Sequence, residues 1–169
     1  MGICYSCYIN HELRQLDDSI PLFDLKGQEY YAKVVDVYDG DTCTIVIRFN
    51  GEWTKFKLRA LGYDTPEMKP PKNEKNREKL IDMAIKSRNY YISRITNCQI
   101  ELDKHYSKKD LHQLLKLNTK LIKVKSHGWD KYGRFLGEIF VNGININEEM
   151  VIKKYGYKYD GGTKESFNV

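Results

Sequence analysis

The sequence has no run of about 18 consecutive apolar residues, the length that a membrane-spanning helix requires. Its first ten residues are too few and too polar to form the apolar core of a secretory signal peptide. These two absences predict a protein that neither crosses a membrane nor is exported. We therefore expect an intracellular location.

Cysteine is also scarce, with four in the chain, and without an export signal a reducing compartment is expected. Cys43 and Cys98 fall in segments predicted as strands, where a reduced and buried thiol is the ordinary state. Cys4 and Cys7 form a CxxC pattern followed by His11. Because no second pair of ligands follows them, this pattern gives little support to a zinc or redox site.

Charge, in contrast, is abundant. Of 169 residues, 30% are charged and 41% hydrophobic, and the formal net charge is +5. The length suits one domain, which we place at residues 29–162, with an N-terminal extension at 1–28 and a C-terminal tail at 163–169. Lysine-rich stretches such as 69–79 favour polyanionic partners, although a run of charge is more often a solvated face.

The start of the chain fits a lipidation pattern. Residues 1–6 match M-G-x-x-x-[ST], the signal for N-myristoylation of Gly2, and Cys4 and Cys7 are placed for S-palmitoylation. One myristoyl chain holds a membrane only marginally, whereas two lipid signals anchor stably. We expect either peripheral membrane association through an acylated N-terminus or an unmodified, disordered leader. Intact-mass measurement after co-expression with an N-myristoyltransferase distinguishes the two.

Alternating β-branched and aromatic residues predict three antiparallel strands at the start of the domain, at residues 30–37, 42–49 and 53–61. The pair Asn50 and Gly51 is a strong hairpin signal between the second and the third. Residues 8–28 are too irregular to predict a helix or strand.

Helical spacing of isoleucines predicts a long helix at about residues 74–95. Residues 98–102 and 121–125 are both strand-like. The stretch between them, at about 103–120, contains Ser107 and Asp110 at capping-box spacing, which predicts a short amphipathic helix.

A further strand is predicted at residues 135–141, after a turn at 128–134. Asn145 or Asn147 can cap a final helix that runs to about Tyr155. This order of elements is expected of an OB-type barrel. The fold class that we predict is α+β, mainly β, with five barrel strands and two or three helices.

Two acidic turns flank the second and third predicted strands. Residues 39–42 read DGDT and residues 64–67 read DTPE, with Arg59 near the end of the strand between them. If these strands pair, the carboxylates of Asp41 and Asp64 meet at one end of the sheet, and hard oxygen ligands suit a divalent cation such as Ca²⁺. A metal, a phosphate-binding arginine and a carboxylate base at Glu67 are the parts of a phosphodiester hydrolase. Alternatively, the Asp-Gly pairs only form turns.

These motifs, followed by DKYGR at residues 130–134, resemble the staphylococcal nuclease-like (thermonuclease) domain family. Three motifs stand in the family's order, and the resemblance covers roughly residues 30–160. It implies the same OB-type barrel. The stretch at 103–120 has no equivalent in the compact family pattern and is an insertion.

The resemblance implies a role for each matching residue. Asp41, Asp64 and the backbone carbonyl of Thr65 bind Ca²⁺, with water completing the coordination. Glu67 acts on the attacking water. Arg59 and Arg134 bind the scissile phosphate, and Lys131 binds the neighbouring one. Tyr132 stacks on a base. A second stacking face comes from Tyr157 or Tyr159, of which we favour Tyr159.

The activity that the resemblance implies is Ca²⁺-dependent hydrolysis of DNA and RNA, largely without sequence preference and leaving 3′-phosphate ends. Stacking tolerates any base, so single-stranded substrates are favoured. The alternative is a catalytically silent OB-type module that binds nucleic acid or a protein. Silent copies of the domain typically lose acidic or arginine positions that this sequence retains. A monomer is the default expectation.

Overall fold

A computed structural model of the protein describes residues 5–162. The strands are β1 (Glu29–Val37), β2 (Thr42–Phe49), β3 (Glu52–Ala60), β4 (Tyr63–Asp64), β5 (Ile122–Trp129), β6 (Phe135–Val141), β7 (Ile144–Asn145) and β8 (Tyr157–Lys158). The helices are α1 (Tyr5–Leu13), α2 (Arg77–Ile95), α3 (Lys108–Asn118) and α4 (Ile146–Ile152).

Five of the strands close into a barrel. β1 pairs antiparallel with β2 and β5, β2 with β3, and β5 with β6. A short parallel contact between β3 and β6, from Leu58 to Ala60, joins the two ends of the sheet. The predicted mainly-β barrel fold with helices is therefore confirmed.

The barrel interior is filled by the alternate residues of each strand. In β2, Cys43, Ile45 and Ile47 are buried while the residues between them are not. Each fully buried large apolar side chain contributes about 1.5–3 kcal/mol relative to exposure. Cys43 is reduced, as predicted, and burial raises the pKa of its thiol to about 12.

The strand predicted at residues 98–102 is wrong, because this segment forms an irregular loop after α2. Asn89 of α2 is fully buried, and its Nδ2 lies 2.7–3.1 Å from the carbonyl oxygens of Glu101, Leu102 and Lys104. These bonds to a side chain take the place of a strand ladder. Cys98, which we had expected in a strand, is a partly buried free thiol in this loop.

The insertion adds a packed element to the domain. Its predicted capping box is present, since Ser107 Oγ accepts a hydrogen bond from Asp110 N and the Asp110 side chain accepts one from Ser107 N. The helix α3 packs against β1 and buries Leu111 and Leu115. The inserted residues therefore extend the core.

Two other segments differ from the predictions. The N-terminal extension contains α1, where the sequence indicates no regular element, so that residues 5–162 contain four helices. β5 continues to Trp129, which shortens the turn predicted at 128–134 to residues 130–134, DKYGR. The end of the extension packs on the barrel, since Leu25 is buried and the Phe23 ring contacts Phe49.

The described residues contain no helix that is both long and apolar enough to span a membrane. The acylation pattern cannot be followed further, because Gly2 and Cys4 lie outside the described residues, as does the side chain of Cys7. It stays a prediction.

Candidate active site

Residues from five parts of the chain line a cleft of about 450 Å³ at one end of the barrel. They come from the β1–β2 turn, the end of β3, the segment after β4, the β5–β6 turn and the segment after β8. The lining residues are Tyr38, Asp39, Asp41, Thr42, Arg59, Asp64, Glu67, Lys131, Tyr132, Arg134, Tyr159 and Gly162. All the side chains that the sequence assigned to catalysis, the metal carboxylates and the substrate thus lie around one cleft.

The β1–β2 turn is held against its neighbours by short contacts. Tyr63 Oη donates a hydrogen bond of 2.7 Å to the carbonyl oxygen of Gly40. A Cβ atom on Gly40 would lie 2.1 Å from Oγ of Ser87 in α2. Only glycine allows α2 to approach so closely, so this residue has a packing reason as well as a turn-forming one.

Arg59 bridges the two aspartates that the sequence predicted as metal ligands. Its Nη1 lies 3.0 Å from Asp41 Oδ1, and its Nη2 lies 2.5 Å from Asp64 Oδ1. All three side chains are at least nine-tenths buried, with exposed fractions of 9%, 6% and 2% for Arg59, Asp41 and Asp64. The predicted convergence of the two carboxylates is therefore present in the structure.

The second oxygen of each carboxylate also has a partner. Asp41 Oδ2 accepts hydrogen bonds of 2.9 Å from both the backbone N and Oγ1 of Thr65. Tyr157 Oη donates a hydrogen bond of 3.0 Å to Asp64 Oδ2. These bonds fix the rotamers of both aspartates before any ligand binds.

A third buried carboxyl group lies beside this pair. Burial and the negative charge of Asp41 raise the pKa of Asp39 to about 8. The Asp41 backbone N donates to Asp39 Oδ1, which holds the turn closed. A carboxyl group with a pKa of about 8 is largely protonated at neutral pH, so Asp39 adds little charge, but the carboxylates of Asp41 and Asp64 share the one guanidinium of Arg59, and the negative charge left over favours a cation.

The donor set fits a hard cation whose remaining coordination positions are filled by ligands from outside the protein. Asp41 and Asp64 offer two carboxylates, and the carbonyl of Thr65 is the third ligand that the sequence resemblance implies. Between residues 5 and 162 there is no cluster of three or more His, Cys, Asp or Glu side chains suited to holding a metal. Because Ca²⁺ takes six to eight oxygen ligands, water and substrate would have to fill the remaining positions.

Glu67 and Arg134 lie on the solvent side of the cleft. Glu67 is exposed, as expected of a group that acts on a water molecule. Asp130 accepts hydrogen bonds from the backbone N and Nε of Arg134, at 2.8 and 2.6 Å. Among the described residues neither Nη group of Arg134 has a hydrogen-bond partner, so both can reach a ligand.

The predicted stacking residues surround the same opening. Tyr132 is 72% exposed, and the cationic groups of Lys131 and Arg134 lie 5.2 and 5.4 Å from its ring centroid. Tyr159 lines the cleft and donates a hydrogen bond to the carbonyl oxygen of Gly162. Of the two tyrosines left open by the sequence, Tyr159 is the one that lines the cleft, whereas Tyr157 binds Asp64.

The sequence did not reveal the role of Asn147. The sequence left either Asn145 or Asn147 as the N-cap of the last helix, and in the structure Asn145 caps α4. Asn147 is buried, accepts a hydrogen bond from Ile139 N and donates to the carbonyl oxygens of Leu61 and Gly137. These bonds join the residue after β3 to the middle of β6. The sequence contained one indication of this role. A helix has one N-cap residue, so the second asparagine, two residues after the cap, had to have another function.

Comparison with known proteins agrees with this architecture. The family model for staphylococcal nuclease homologues matches residues 57–164, more than half of the chain. The chain is also 37% identical over 136 residues to the uncharacterized protein MJ1439 of Methanocaldococcus jannaschii, an alignment covering 77% of this chain and 58% of that relative. It spans less than two thirds of that protein's length. The chain belongs to the family of staphylococcal nuclease homologues.

Proposed function

We propose that the protein is a Ca²⁺-dependent nuclease that hydrolyses phosphodiester bonds of DNA and RNA. Membership of the family supports a nuclease or nucleic-acid-binding module. The observation that carries the finer proposal is the convergence of Asp41, Asp64 and Arg59 in a cleft that Glu67 and Arg134 also line.

The two buried aspartates would hold the cation, together with the Thr65 carbonyl. A bound Ca²⁺ would polarise the scissile phosphate and neutralise charge that develops in the transition state. Thr65 N, Thr65 Oγ1 and Tyr157 Oη orient the two carboxylates through hydrogen bonds of 2.9–3.0 Å. Such oriented ligands lower the reorganisation needed on binding.

The other residues act on the phosphate and the water. The planar guanidinium groups of Arg59 and Arg134 each offer a fork that matches two phosphoryl oxygens, which a lysine cannot reproduce. Glu67, exposed to solvent in the cleft, accepts a proton from the attacking water, directly or through ordered water. Attack of this water on the phosphorus breaks the bond to the 5′ oxygen and, by the family's chemistry, leaves a 3′-phosphate end and a 5′-hydroxyl end.

The exposed ring of Tyr132 supports a preference for single strands. A base must leave its stack to lie on an exposed aromatic ring, and any base has a face to offer. Tyr159 provides a second ring in the same cleft. We therefore propose low sequence preference and a higher rate on denatured DNA and on RNA than on duplex DNA.

A catalytically silent, nucleic-acid-binding module is the second candidate. One observation favours it: both predicted carboxylate ligands are already bound to Arg59, and Ca²⁺ must compete with or displace that guanidinium. In this case the protein would bind oligonucleotides equally well with Ca²⁺ or with a chelator and form no product.

Binding of Ca²⁺ is tested by thermal unfolding. With two carboxylate ligands the affinity falls in the weak range of about 10⁻⁴–10⁻³ M. At 10-fold excess over Kd, linkage stabilises the folded state by about 1.4 kcal/mol, which raises the Tm by about 3–6 °C. We expect Asp41→Asn to abolish this increase and Asp103→Asn, an exposed carboxylate in a distant loop, to retain it. An equal Ca²⁺ response in both variants would exclude Asp41 as a ligand.

A further inference from the structure

The outer face of β3 carries a row of side chains that leads into the cleft. Side chains alternate along a strand, so Trp53, Lys55, Lys57 and Arg59 share one face. The residues between them face the core, where Phe56 packs. The last member of this row is the arginine that bridges the two cleft aspartates.

β2 extends the same face. Its register with β3 pairs Thr42 with Arg59, Thr44 with Lys57, Val46 with Lys55 and Arg48 with Trp53. The guanidinium of Arg48 lies over the Trp53 ring, 5.8 Å from its centroid. We call Arg48, Trp53, Lys55 and Lys57 the β3 strip.

The β3 strip is accessible and carries uncompensated charge. Trp53 is 74% exposed, and the three basic side chains are exposed as well. Across the described part of the chain, none of the three cations forms an ion pair. Exposed cations interleaved with an exposed aromatic ring are suited to a single-stranded nucleic acid, whose phosphates and bases alternate in the same way.

The strip leads into the cleft, because Lys57 is followed on the same face of β3 by Arg59, and the Thr42–Arg59 pair lines the cleft. The six-residue step along β3 from Arg59 to Trp53 corresponds to about 20 Å. About six nucleotides cover this length at the 3.4 Å rise of a stacked strand. In OB-type barrels, the face of the second and third strands commonly binds oligonucleotides.

We propose that the β3 strip binds the single strand that continues from the scissile phosphate, with phosphates at Lys57 and Lys55 and a base stacked on Trp53. This inference rests on the proposed function and adds an extended substrate-binding site to it. A general role in keeping an open strand edge from aggregating would explain exposed lysines. It does not explain an exposed tryptophan under an arginine.

Binding is measured with Glu67→Gln, an exposed position whose substitution prevents turnover in the proposed mechanism. The probes are labelled oligodeoxythymidylates of four to twelve nucleotides in Ca²⁺, followed by anisotropy and by tryptophan fluorescence. We expect affinity to rise up to about six nucleotides and then level off. Added Trp53→Ala lowers the affinity for the longer probes about 5- to 150-fold, and Trp53→Phe, which retains a stacking ring, largely restores it.

Tryptophan fluorescence tests directly whether the Trp53 ring stacks on a base. The chain has two tryptophans, and Trp129 is half-buried and packs against Phe56 and Phe135, away from the β3 strip. Oligonucleotide binding is therefore expected to quench the emission, and Trp53→Phe is expected to remove the quenching while binding persists.

The salt dependence of oligonucleotide affinity measures how many phosphates Lys55 and Lys57 contact. The slope of log K against log salt changes by about 0.7 for each phosphate contact with a single strand, so Lys55→Ala with Lys57→Ala reduces it by about 1.4. The matched control is Lys108→Ala with Lys109→Ala, which removes two charges from α3 and leaves the slope unchanged.

The outcomes distinguish failure of the proposed β3 strip from failure of the proposed nuclease activity. If the wild type cleaves denatured DNA but Trp53 is not quenched and the strip variants keep normal affinity and salt slope, the strip is wrong and the nuclease stands. Equal competition by a sulfated polysaccharide, without any Trp53-dependent affinity, also overturns the strip. If the wild type neither binds nor cleaves, the proposed function fails and the strip with it.

Discussion

Arg59→Lys lowers the rate of hydrolysis of denatured DNA by about 100- to 1,000-fold, on the scale of one lost transition-state donor. Lysine keeps a positive charge between Asp41 and Asp64 but lacks the planar fork that binds two oxygens at once. Arg134→Lys should have an effect of similar size, because its Nη groups face the cleft rather than a protein partner in the described chain. The measurement is initial velocity in saturating Ca²⁺.

The choice of lysine protects the fold. Removing the charge with alanine would leave Asp41 and Asp64 buried without their cation, which costs about 3–5 kcal/mol. Arg14→Lys, at an exposed position after α1, is the matched control and should retain the full rate. A full rate in Arg59→Lys would show that this guanidinium has a structural role only.

Asn147→Leu destabilises the protein by about 3 kcal/mol or more, measured by equilibrium denaturation. The substitution leaves the buried Ile139 N and the part-buried Leu61 carbonyl without their partner, and an unpaired buried group costs about 1–3 kcal/mol. Both groups lie where β3 and β6 close the barrel. The effect should therefore exceed that of an ordinary polar substitution in a helix.

Asn145→Ala is the comparison for this experiment, since it removes the cap of α4 from the same segment. Loss of an N-cap costs about 1 kcal/mol. Equal destabilisation by the two substitutions would mean that Asn147 contributes only to the helix and does not hold the barrel closed.

The strands of the barrel could be predicted from the sequence because their alternation is regular. The β2 segment alternates inward and outward residues over its whole length, and its predicted bounds are the observed ones. The approach of Asp41 to Asp64 followed from the same pairing, since turns at one end of adjacent strands must meet. At these positions the alternation of residues along the strand was sufficient to predict the structure.

The sequence could not predict features that depend on side chains from distant elements. The loop after α2 is shaped by Asn89, and nothing in residues 98–102 themselves reports that contact. The raised pKa of Asp39 likewise arises from burial beside Asp41, which requires the closed barrel. Long-range contacts of this kind override local strand propensity.

The proposed Ca²⁺-dependent nuclease activity is measured as hydrolysis of heat-denatured DNA and of RNA, with Ca²⁺ or with a chelator, by the wild type and by Glu67→Gln. We expect cleavage by the wild type in Ca²⁺, loss of cleavage with the chelator, and a rate at least about 100-fold lower in Glu67→Gln. Absence of cleavage by the folded wild type across divalent metals would contradict the proposed activity and leave a nucleic-acid-binding barrel.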